Sequence, residues 1–295
     1  MRSRVTRLKP IGFTEFQFPT LVDNPPEGGE WIHEIKYDGY RTQIVIQNGM
    51  ALIYTRTGID WTGKYPHIAA AAGWLKCRNA IIDGEVILPH EETGKPDFQG
   101  LRLQITRKSE SLVFVAFDLL HLNGEDIRPL PCVERRVALQ RLLGPAEGKL
   151  QFSHHIDTSG KAFFAAVDKL GLEGIVSKLA GSAYIGGQVK SWLKIKCYEE
   201  TDYEIAGVLR ERGKPAMALM VDQERNYVGS AFITFKREQR ERLWARVQAK
   251  AGPIPKGMEP KPGAEWLKPG LVGRVKHLKG EEKLRHATLK EFRDA

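Results

Sequence analysis

The sequence contains few cysteines, and the three present, Cys77, Cys132 and Cys197, lie far apart. An odd number of scattered cysteines cannot form a complete disulfide framework, and no Cys-x-x-Cys pair is available for a structural zinc site. Cysteine usage of this kind is typical of the reducing cytosol. We therefore expect a cytoplasmic protein without disulfide bonds.

Long apolar segments are also missing. The longest uncharged run, residues 65–75, is too short to span a bilayer. The basic N-terminal residues are not followed by the apolar stretch of an export signal. We expect neither export nor membrane insertion.

A strong excess of one charge is lacking as well. The 295 residues include 45 basic and 36 acidic side chains, which gives a net charge of +9. This excess would favour a polyanionic partner if the charge is clustered. The C-terminal third is the more basic part, most of all at residues 268–293, although such a run is more often a solvated surface.

Strand-forming segments predominate in the first 198 residues. Asn48-Gly49 separates two of them and predicts a hairpin with a two-residue turn. A second Asp-Gly pair, Asp83-Gly84, is expected to break a strand. Together with the helical segments, the pattern predicts an α+β fold with a mostly antiparallel sheet. The predicted strands are 31–36, 41–47, 50–55, 80–89, a long apolar strand that starts at 111 and ends at Asn123-Gly124, 174–179 and 191–197, and the predicted helices are 65–76, 134–144 and 161–171.

A second domain is expected after a short acidic link at residues 198–202. The remaining chain has few residues, four strand patterns and one charged helix, which suits a small β-barrel of the OB type. The sequence thus predicts domains at 1–198 and 199–295. The strand patterns are 203–211, 216–223, 227–235 and 270–278, and the helix is 236–250.

The segment EIKYDGYR, residues 34–41, contains a candidate nucleophile. Lys36 precedes Asp38-Gly39, which read as ordinary turn residues. A lysine attacks a phosphate only after losing its proton, and neighbouring positive charge favours that loss. Lys194 and Lys196 alternate with apolar residues on one strand, so they share a face, either inward as a phosphate cradle or outward as plain surface.

Two carboxylates accompany these lysines. Glu85 follows Asp83-Gly84 and Glu173 opens EGIVSK. A hard divalent cation takes oxygen ligands and lets substrate phosphates complete its shell. Either glutamate alone reads as a solvated side chain, and their pairing with basic strand residues favours a metal site.

KYDGYR resembles the nucleotidyl-lysine motif of the covalent nucleotidyltransferases, which include DNA ligases, RNA ligases and mRNA capping enzymes. Further segments resemble the other motifs of that superfamily, in order and with similar spacing: TRTG (55–58), DGE (83–85), FDLL (117–120), EGIVSK (173–178), WLKIK (192–196) and RHATLKEFR (285–293). The chain is most similar to the ligase domain of bacterial ATP-dependent ligases of the ligase D type. This resemblance implies a nucleotidyltransferase domain of ATP-grasp-like antiparallel sheets with helices, followed by an OB-fold domain.

The resemblance also implies roles for matched residues. Lys36 would carry AMP in a phosphoramidate bond, Phe117 and Val176 would enclose the adenine, and Arg41 and Arg56 would contact the ribose. The implied catalytic residues are Lys36, Lys194, Lys196, Arg285 and Arg293. The implied nucleotide-binding residues are Glu34, Ile35, Lys36, Arg41, Arg56, Glu85, Phe117, Val176, Lys178, Lys194 and Lys196, and the implied metal ligands are Glu85 and Glu173.

The implied activity is ATP-dependent sealing of DNA nicks in repair, with Mg²⁺ or Mn²⁺ as cofactor. Nicked duplex DNA would be the substrate, the protein a monomer, and a bacterial Ku-type end-binding protein its possible partner. Two alternatives stay open. One is an RNA ligase or a GTP-using capping-type enzyme, and the other is a non-catalytic DNA-binding clamp.

Four positions depart from the family pattern. Ile185 and Gln188 stand where arginines are expected, and Lys190 is a partial substitute. Ala287 and Leu289 replace a common proline and phenylalanine. These departures put one phosphate contact in doubt and leave Lys36 unaffected.

Overall fold

The computed structural model describes residues 11–105, 109–145, 148–255, 258–279 and 283–295. The chain divides into two compact units. The first ends at Lys196, and the second runs from Cys197 to Ala295.

In its described residues, the first unit contains two β-sheets and four α-helices. Its strands are β1 (Gln17–Leu21), β2 (Trp31–Ile35), β3 (Tyr40–Gln47), β4 (Met50–Thr55), β5 (Asn79–Ile87), β6 (Val113–Leu122), β7 (Glu125–Asp126), β8 (Leu150–Phe152), β9 (His155–Ile156), β10 (Gly174–Leu179) and β11 (Gly187–Lys196). Its helices are α1 (Pro66–Gly73), α2 (Phe98–Gln104), α3 (Cys132–Leu143) and α4 (Gly160–Lys169). One sheet has the order β1-β11-β10-β2-β9, and the other has the order β4-β3-β5-β6-β7 with β8 beside β6. The pairs β1–β11 and β6–β8 are parallel, and the remaining pairs are antiparallel.

Both faces of the second sheet are covered, as the alternation along β3 requires. Ile44 and Ile46 are fully buried in a large apolar cluster that includes residues of α1 and α3. Val45, between them, lies on the opposite face in a smaller cluster with Trp192 of β11. The smaller cluster joins the two sheets, so the polar residues near it lie between them.

Two turn predictions have different outcomes. Asn48 and Gly49 have φ of 52° and 76°, which confirms the hairpin between β3 and β4. The predicted break at Asp83-Gly84 is wrong, because β5 runs through it with a shift in register against β6. A Cβ on Gly84 would lie 2.6 Å from the Val115 carbonyl oxygen, so this glycine serves close strand packing.

The three predicted helices are confirmed as α1, α3 and α4, with ends shifted by a few residues. Helix α2 and the strands β1, β8 and β9 were not expected. Strands β8 and β9 have three and two residues, too few to show a periodic pattern. The long strand predicted to end at Asn123-Gly124 is confirmed as β6, which ends at Leu122, and the short β7 follows the turn.

Over the part of the second unit that the structure describes, there are six strands and one helix. They are β12 (Tyr198–Leu209), β13 (Met217–Val221), β14 (Tyr227–Ile233), α5 (Arg237–Ala249), β15 (Ala264–Trp266), β16 (Leu271–Leu278) and β17 (Thr288–Asp294). Strand β12 pairs with both β13 and β16, and β14 and β17 connect these two, so five strands close into a barrel. The barrel encloses an apolar core that includes Ile205, Met220, Val275 and Leu289, with Leu243 of α5 packed against it.

The acidic link predicted at 198–202 is wrong, because these residues form the first part of β12. Glu200 lies opposite Lys276 and Asp202 opposite Arg274 on β16. Opposite charges on facing strands stabilise strand pairing. The acidic residues 198–202 were interpreted as a loop because their basic partner strand is distant in the sequence.

In the part of the chain that the structure describes, no helix is long and apolar enough to cross a membrane. Among the described residues, the three cysteines form no disulfide bond. Cys132 and Cys197 are buried, and burial raises the pKa of the Cys132 thiol to about 12.

Candidate active site

A cleft of about 220 Å³ lies between the two sheets of the first unit. Strands from both sheets supply its walls. The lining residues are Phe18, Pro19, Glu34, Ile35, Lys36, Tyr37, Arg41, Arg56, Glu85, Phe117, Val176, Lys178, Trp192 and Lys194. Most residues that the sequence assigned to nucleotide binding therefore meet in one place.

Strand register explains this meeting. Val176 of β10 lies opposite Glu34 of β2 on one side and opposite Lys194 of β11 on the other. Directly opposed residues point to the same face of a sheet, so these three side chains form one row in the cleft. In the other sheet, Arg41 of β3 lies opposite Glu85 of β5.

Lys36 follows the last residue of β2. Its backbone N–H donates to the Gly174 carbonyl, with a nitrogen–oxygen distance of 2.9 Å, which fixes the chain where the side chain enters the cleft. The interpretation of Asp38-Gly39 as a turn is wrong. A Cβ on Gly39 would lie 2.2 Å from the Val86 carbonyl oxygen, so glycine is needed here for close approach to β5.

The Lys36 ammonium pairs with the carboxylate of Glu173. The other oxygen of that carboxylate is 3.1 Å from Lys196 Nζ. Burial alone would raise the pKa of Glu173, but the two ammonium groups hold it below its ordinary value. Lys194 and Lys196 thus take the inward orientation. Burial, and the positive charges around them, lower the pKa of both lysines.

Glu85 carries a carboxyl group that burial strongly affects. Its pKa is raised to about 8, chiefly by burial and further by Glu173, against the opposing charges of Lys36 and Arg41. Among the described residues, Glu85 makes no direct ion pair. A half-buried carboxyl that lines the cleft without a direct ion-pair partner, near a second carboxylate, fits a divalent cation whose other ligands come from phosphate and water. No cluster of three or more metal-ligating side chains occurs in the described residues.

Arg41 is fixed on all sides. Its guanidinium bonds Asp83 through two nitrogens, at 3.1 and 2.7 Å, and Tyr184 donates to the same carboxylate at 2.7 Å. Aromatic rings surround it, with the guanidinium carbon 5.3 Å from the ring centre of Phe117 and 5.8 Å from that of Trp192. Burial would lower the pKa of Arg41, but Asp83 outweighs it and raises that pKa further. The cation is therefore permanent and rigidly placed.

Glu34 is almost fully buried in the cleft wall and receives three donors. Arg136 Nη1 and Lys178 Nζ lie 2.8 and 2.6 Å from its Oε1, and Ser153 Oγ lies 2.7 Å from its Oε2. Lys178 also faces the Phe117 ring, with its Nζ 4.6 Å from the centre. This wall of the cleft combines an apolar ring with firmly placed donors and acceptors.

Arg56 lies in the turn after β4. Its guanidinium carbon is 5.6 Å from the centre of the Phe18 ring. It lines the cleft and also a second cavity of about 390 Å³, which shares Arg41 and Glu85 and contains Trp61. Of the family departures, Ile185 is 74% exposed and Gln188 is exposed on β11.

Arg285 and Arg293 belong to the second unit. Arg293 lies in β17 and pairs with Asp202, its Nη2 2.6 Å from the carboxylate oxygen. The pairing of β17 with β16 makes this segment part of the barrel.

Sequence reasoning did not find several residues of the site. Asp83 carried a signal, since it precedes Glu85 in the DGE segment. Arg136 and Ser153 carried none, because each reaches Glu34 from more than 100 residues away along the chain. Phe18 lies in β1, a strand that the sequence did not predict, and Trp192 reads as an ordinary apolar strand residue.

A model of the ATP-dependent DNA ligase domain matches residues 18–196. The multifunctional non-homologous end joining protein LigD of Pseudomonas aeruginosa is 34% identical over 278 residues, which cover 88% of this chain and 33% of that protein. A DNA ligase of Pyrobaculum islandicum is 32% identical over 209 residues, 64% of this chain and 36% of that protein. The chain therefore spans about a third of the length of these two relatives.

Solved structures share the fold. The ligase domain of M. tuberculosis LigD has a TM-score of 0.57 at 23% identity, over 95% of this chain and 94% of that chain. A Lig E DNA ligase has a TM-score of 0.62 at 15% identity, over 95% and 100% of the two chains. Since the family model covers more than half of the sequence and its span includes the whole cleft, this chain belongs to the ATP-dependent DNA ligase family.

Proposed function

We propose that this chain is an ATP-dependent DNA ligase that seals nicks between a 5′-phosphate and a 3′-hydroxyl. The observation that carries the proposal is the position of Lys36 in the cleft, in contact with Glu173 and accompanied by Lys194 and Lys196. A nucleophilic lysine needs such neighbours, and a transferred phosphate needs the same positive charge.

In the first step, Lys36 attacks the α-phosphorus of ATP. A nitrogen–phosphorus bond forms, the bond to the bridging oxygen breaks, and pyrophosphate leaves. The attacking ammonium must first lose a proton, and Glu173 is the carboxylate in contact with it. Lys194 and Lys196 would offset the negative charge on the α-phosphate.

In the second step, the 5′-phosphate of the nick attacks the same phosphorus and takes the AMP, which frees Lys36. In the third step, the 3′-hydroxyl attacks the 5′-phosphate, loses its proton, closes the strand and releases AMP. In each step an attacking atom displaces a leaving group from phosphorus. Holding the attacking atom and the phosphorus in alignment therefore supplies much of the rate acceleration.

Glu85 and Glu173 would hold a Mg²⁺ or Mn²⁺ ion. When bound, the ion would supply Lewis-acid stabilisation of the charge on the phosphate oxygens. The raised pKa of Glu85 supports this role, because a cation would stabilise the ionised carboxylate that burial disfavours.

The nucleobase would lie against the Phe117 ring, with Val176 on its other face and Glu34, Ile35 and Lys178 at its edge. Arg41 and Arg56 would contact the ribose. The cleft lining supports this arrangement, since it brings these side chains together from four strands and a turn.

The second unit, a closed five-stranded barrel with α5, would be an OB-fold domain that follows an adenylation domain spanning residues 1–198. We propose that it contributes to the grip on nicked duplex DNA. Arg285 and Arg293 would help to orient the pyrophosphate leaving group, which requires Arg293 to exchange Asp202 for a phosphate. We further propose that the protein acts in DNA repair in the cytosol. It would do so as a monomer, with a Ku-type end-binding protein as its partner.

One gel tests this function. Purified protein receives ATP, Mg²⁺ and a 5′-labelled nicked DNA duplex, with parallel lanes for a ribonucleotide 3′ strand and for GTP. The expected result is a longer DNA product that forms with ATP and not with GTP. Sealing only of the ribonucleotide strand would indicate an RNA ligase. Binding of the duplex without any nucleotide transfer, with Mn²⁺ as well, would contradict the proposal and favour the non-catalytic clamp.

A further inference from the structure

Two consecutive arginines of α3, Arg135 and Arg136, are buried as completely as core leucines, with exposures of 0% and 1%. Burying a guanidinium is costly unless it is paired and hydrogen-bonded. The two side chains have different partners. Arg135 bonds both carboxylate oxygens of Asp118 at 2.8 Å, and Arg136 bonds Glu34 in the cleft wall.

Arg136 connects the two sheets behind the cleft. Its Nη1 donates to Glu34 Oε1 of β2 at 2.8 Å and to the Phe117 carbonyl of β6 at 2.9 Å. Its Nη2 donates to the Ser153 carbonyl at 2.5 Å and lies 3.2 Å from His155 Nδ1. Arg136 does not line the cleft itself. It therefore acts on the cleft only through the residues that it holds.

Lys178 closes this arrangement into a ring. Its Nζ lies 2.6 Å from Glu34 Oε1 and 3.2 Å from the Phe117 carbonyl oxygen, the two acceptors that Arg136 also bonds. Ser153 Oγ donates to Glu34 Oε2 at 2.7 Å. A carboxylate has about four acceptor positions, and three are used. The free position is on Oε2, in a residue that lines the cleft.

We propose that Arg136 is the positioning residue that sets the choice of nucleobase. By holding Glu34 and the Phe117 backbone together, it keeps the free Oε2 acceptor at the edge of a base that lies on the Phe117 ring. A 6-aminopurine offers an N–H donor at that edge. A 6-oxopurine offers an oxygen, which would face the carboxylate as a second acceptor and be rejected. This inference rests on the proposed function, because it assumes that the cleft binds a purine nucleotide.

The test compares ATP with ITP, which differ at the 6-position of the base. Dissociation constants are measured by calorimetry in EDTA, on full-length protein cleared of bound AMP by pyrophosphate. The variants are Arg136→Lys and the milder Ser153→Ala, and Arg135→Lys is the matched control on the same helix. The loss of one hydrogen bond to a charged group raises a dissociation constant about 10-fold. We therefore expect Arg136→Lys to reduce the preference for ATP over ITP about 10-fold.

Ser153→Ala should reduce the preference less, and Arg135→Lys should leave it unchanged even if both arginine variants lose a similar amount of thermal stability. An equal preference in wild type, Arg136→Lys and Arg135→Lys would overturn the inference and make Arg136 a purely structural residue. A wild-type protein that binds ATP no better than ITP would overturn it as well. A wild type that prefers ATP in binding but forms no lysine adduct with Mg²⁺ would instead contradict the proposed function.

Discussion

The ion pairs of the two units differ in their exposure to solvent. In the first unit, Arg135 and Asp118 are both 0% exposed, and the pairs around Glu34 are 1–3% exposed. In the second unit, Arg293 and Asp202 are 50% and 32% exposed, and the Arg274 pair is similar. The ion pairs of Arg135 and of Glu34 in the first unit are thus buried, whereas the pairs of Asp202 in the second unit are exposed, as is Arg128–Asp126 in the first unit.

This difference places buried ion pairs beside and behind the cleft and leaves the ion pairs of the barrel open to water. Burying an ion pair often stabilises a fold less than apolar residues of the same volume would. Its retention at the cleft therefore calls for a reason other than stability, and holding phosphate and nucleobase contacts in place is such a reason. Exposed pairs have a small effect that salt screens.

The largest stability effect is expected from Asp118→Asn, which removes the negative charge from a fully buried pair. The guanidinium of Arg135 then keeps a buried and uncompensated charge, which costs about 3–5 kcal/mol. Urea unfolding of the full chain measures this change. A companion variant with Asp118→Leu and Arg135→Met together should recover much of the loss. A loss below about 1 kcal/mol in the single variant would mean that buried and exposed pairs contribute alike.

Glu173→Gln should separate function from stability. The carboxylate holds Lys36 and Lys196 and is a proposed metal ligand, so its loss should slow lysine adenylation about 10²–10³-fold. The free energy of unfolding should change less than in Asp118→Asn. Rapid-quench labelling with ATP measures the rate. If this variant is labelled at the wild-type rate, a role of Glu173 in lysine adenylation is contradicted.

The smallest effect is expected from Asp202→Asn in the second unit. Arg293 and Arg274 lower the pKa of Asp202 to about 2, below its ordinary value of 3.8. A carboxyl whose pKa is lowered on folding stabilises the protein above its unfolded pKa, and this contribution is lost as pH falls from about 4 to about 2. The variant should differ from wild type only slightly above pH 4, converge with it near pH 2, and lose the difference in high salt. A large difference that persists in salt would contradict the comparison.

The sequence predicted features that depend on neighbours along the chain. Asn48-Gly49 determines a hairpin locally, and the alternation of Lys194 and Lys196 places both on one face. Distant contacts decided the rest. Gly39 and Gly84 read as turn residues, but they are required by carbonyl groups of a neighbouring strand. Residues 198–202 read as a link until their basic partners on β16 are known.

The cleft was predictable to the extent that its residues lie in recognisable motifs. Lys36, Glu85, Phe117 and Val176 are in segments that resemble family motifs, and the structure brings them together. Arg136 lies outside any such segment, and only the packing of α3 behind the cleft shows that it reaches Glu34. The orientation of Lys194 and Lys196 likewise needed the register of β11 against β10.

The most direct test of the central claim is a peptide map of the protein after incubation with ATP and Mg²⁺. Mass spectrometry of the intact chain is followed by proteolysis under mildly alkaline conditions, which preserve a phosphoramidate. We predict one added AMP per chain, located on Lys36, lost on treatment with pyrophosphate and absent from Lys36→Ala. An adduct on another residue, or one that persists in Lys36→Ala, would contradict the assignment of Lys36 as the nucleophile.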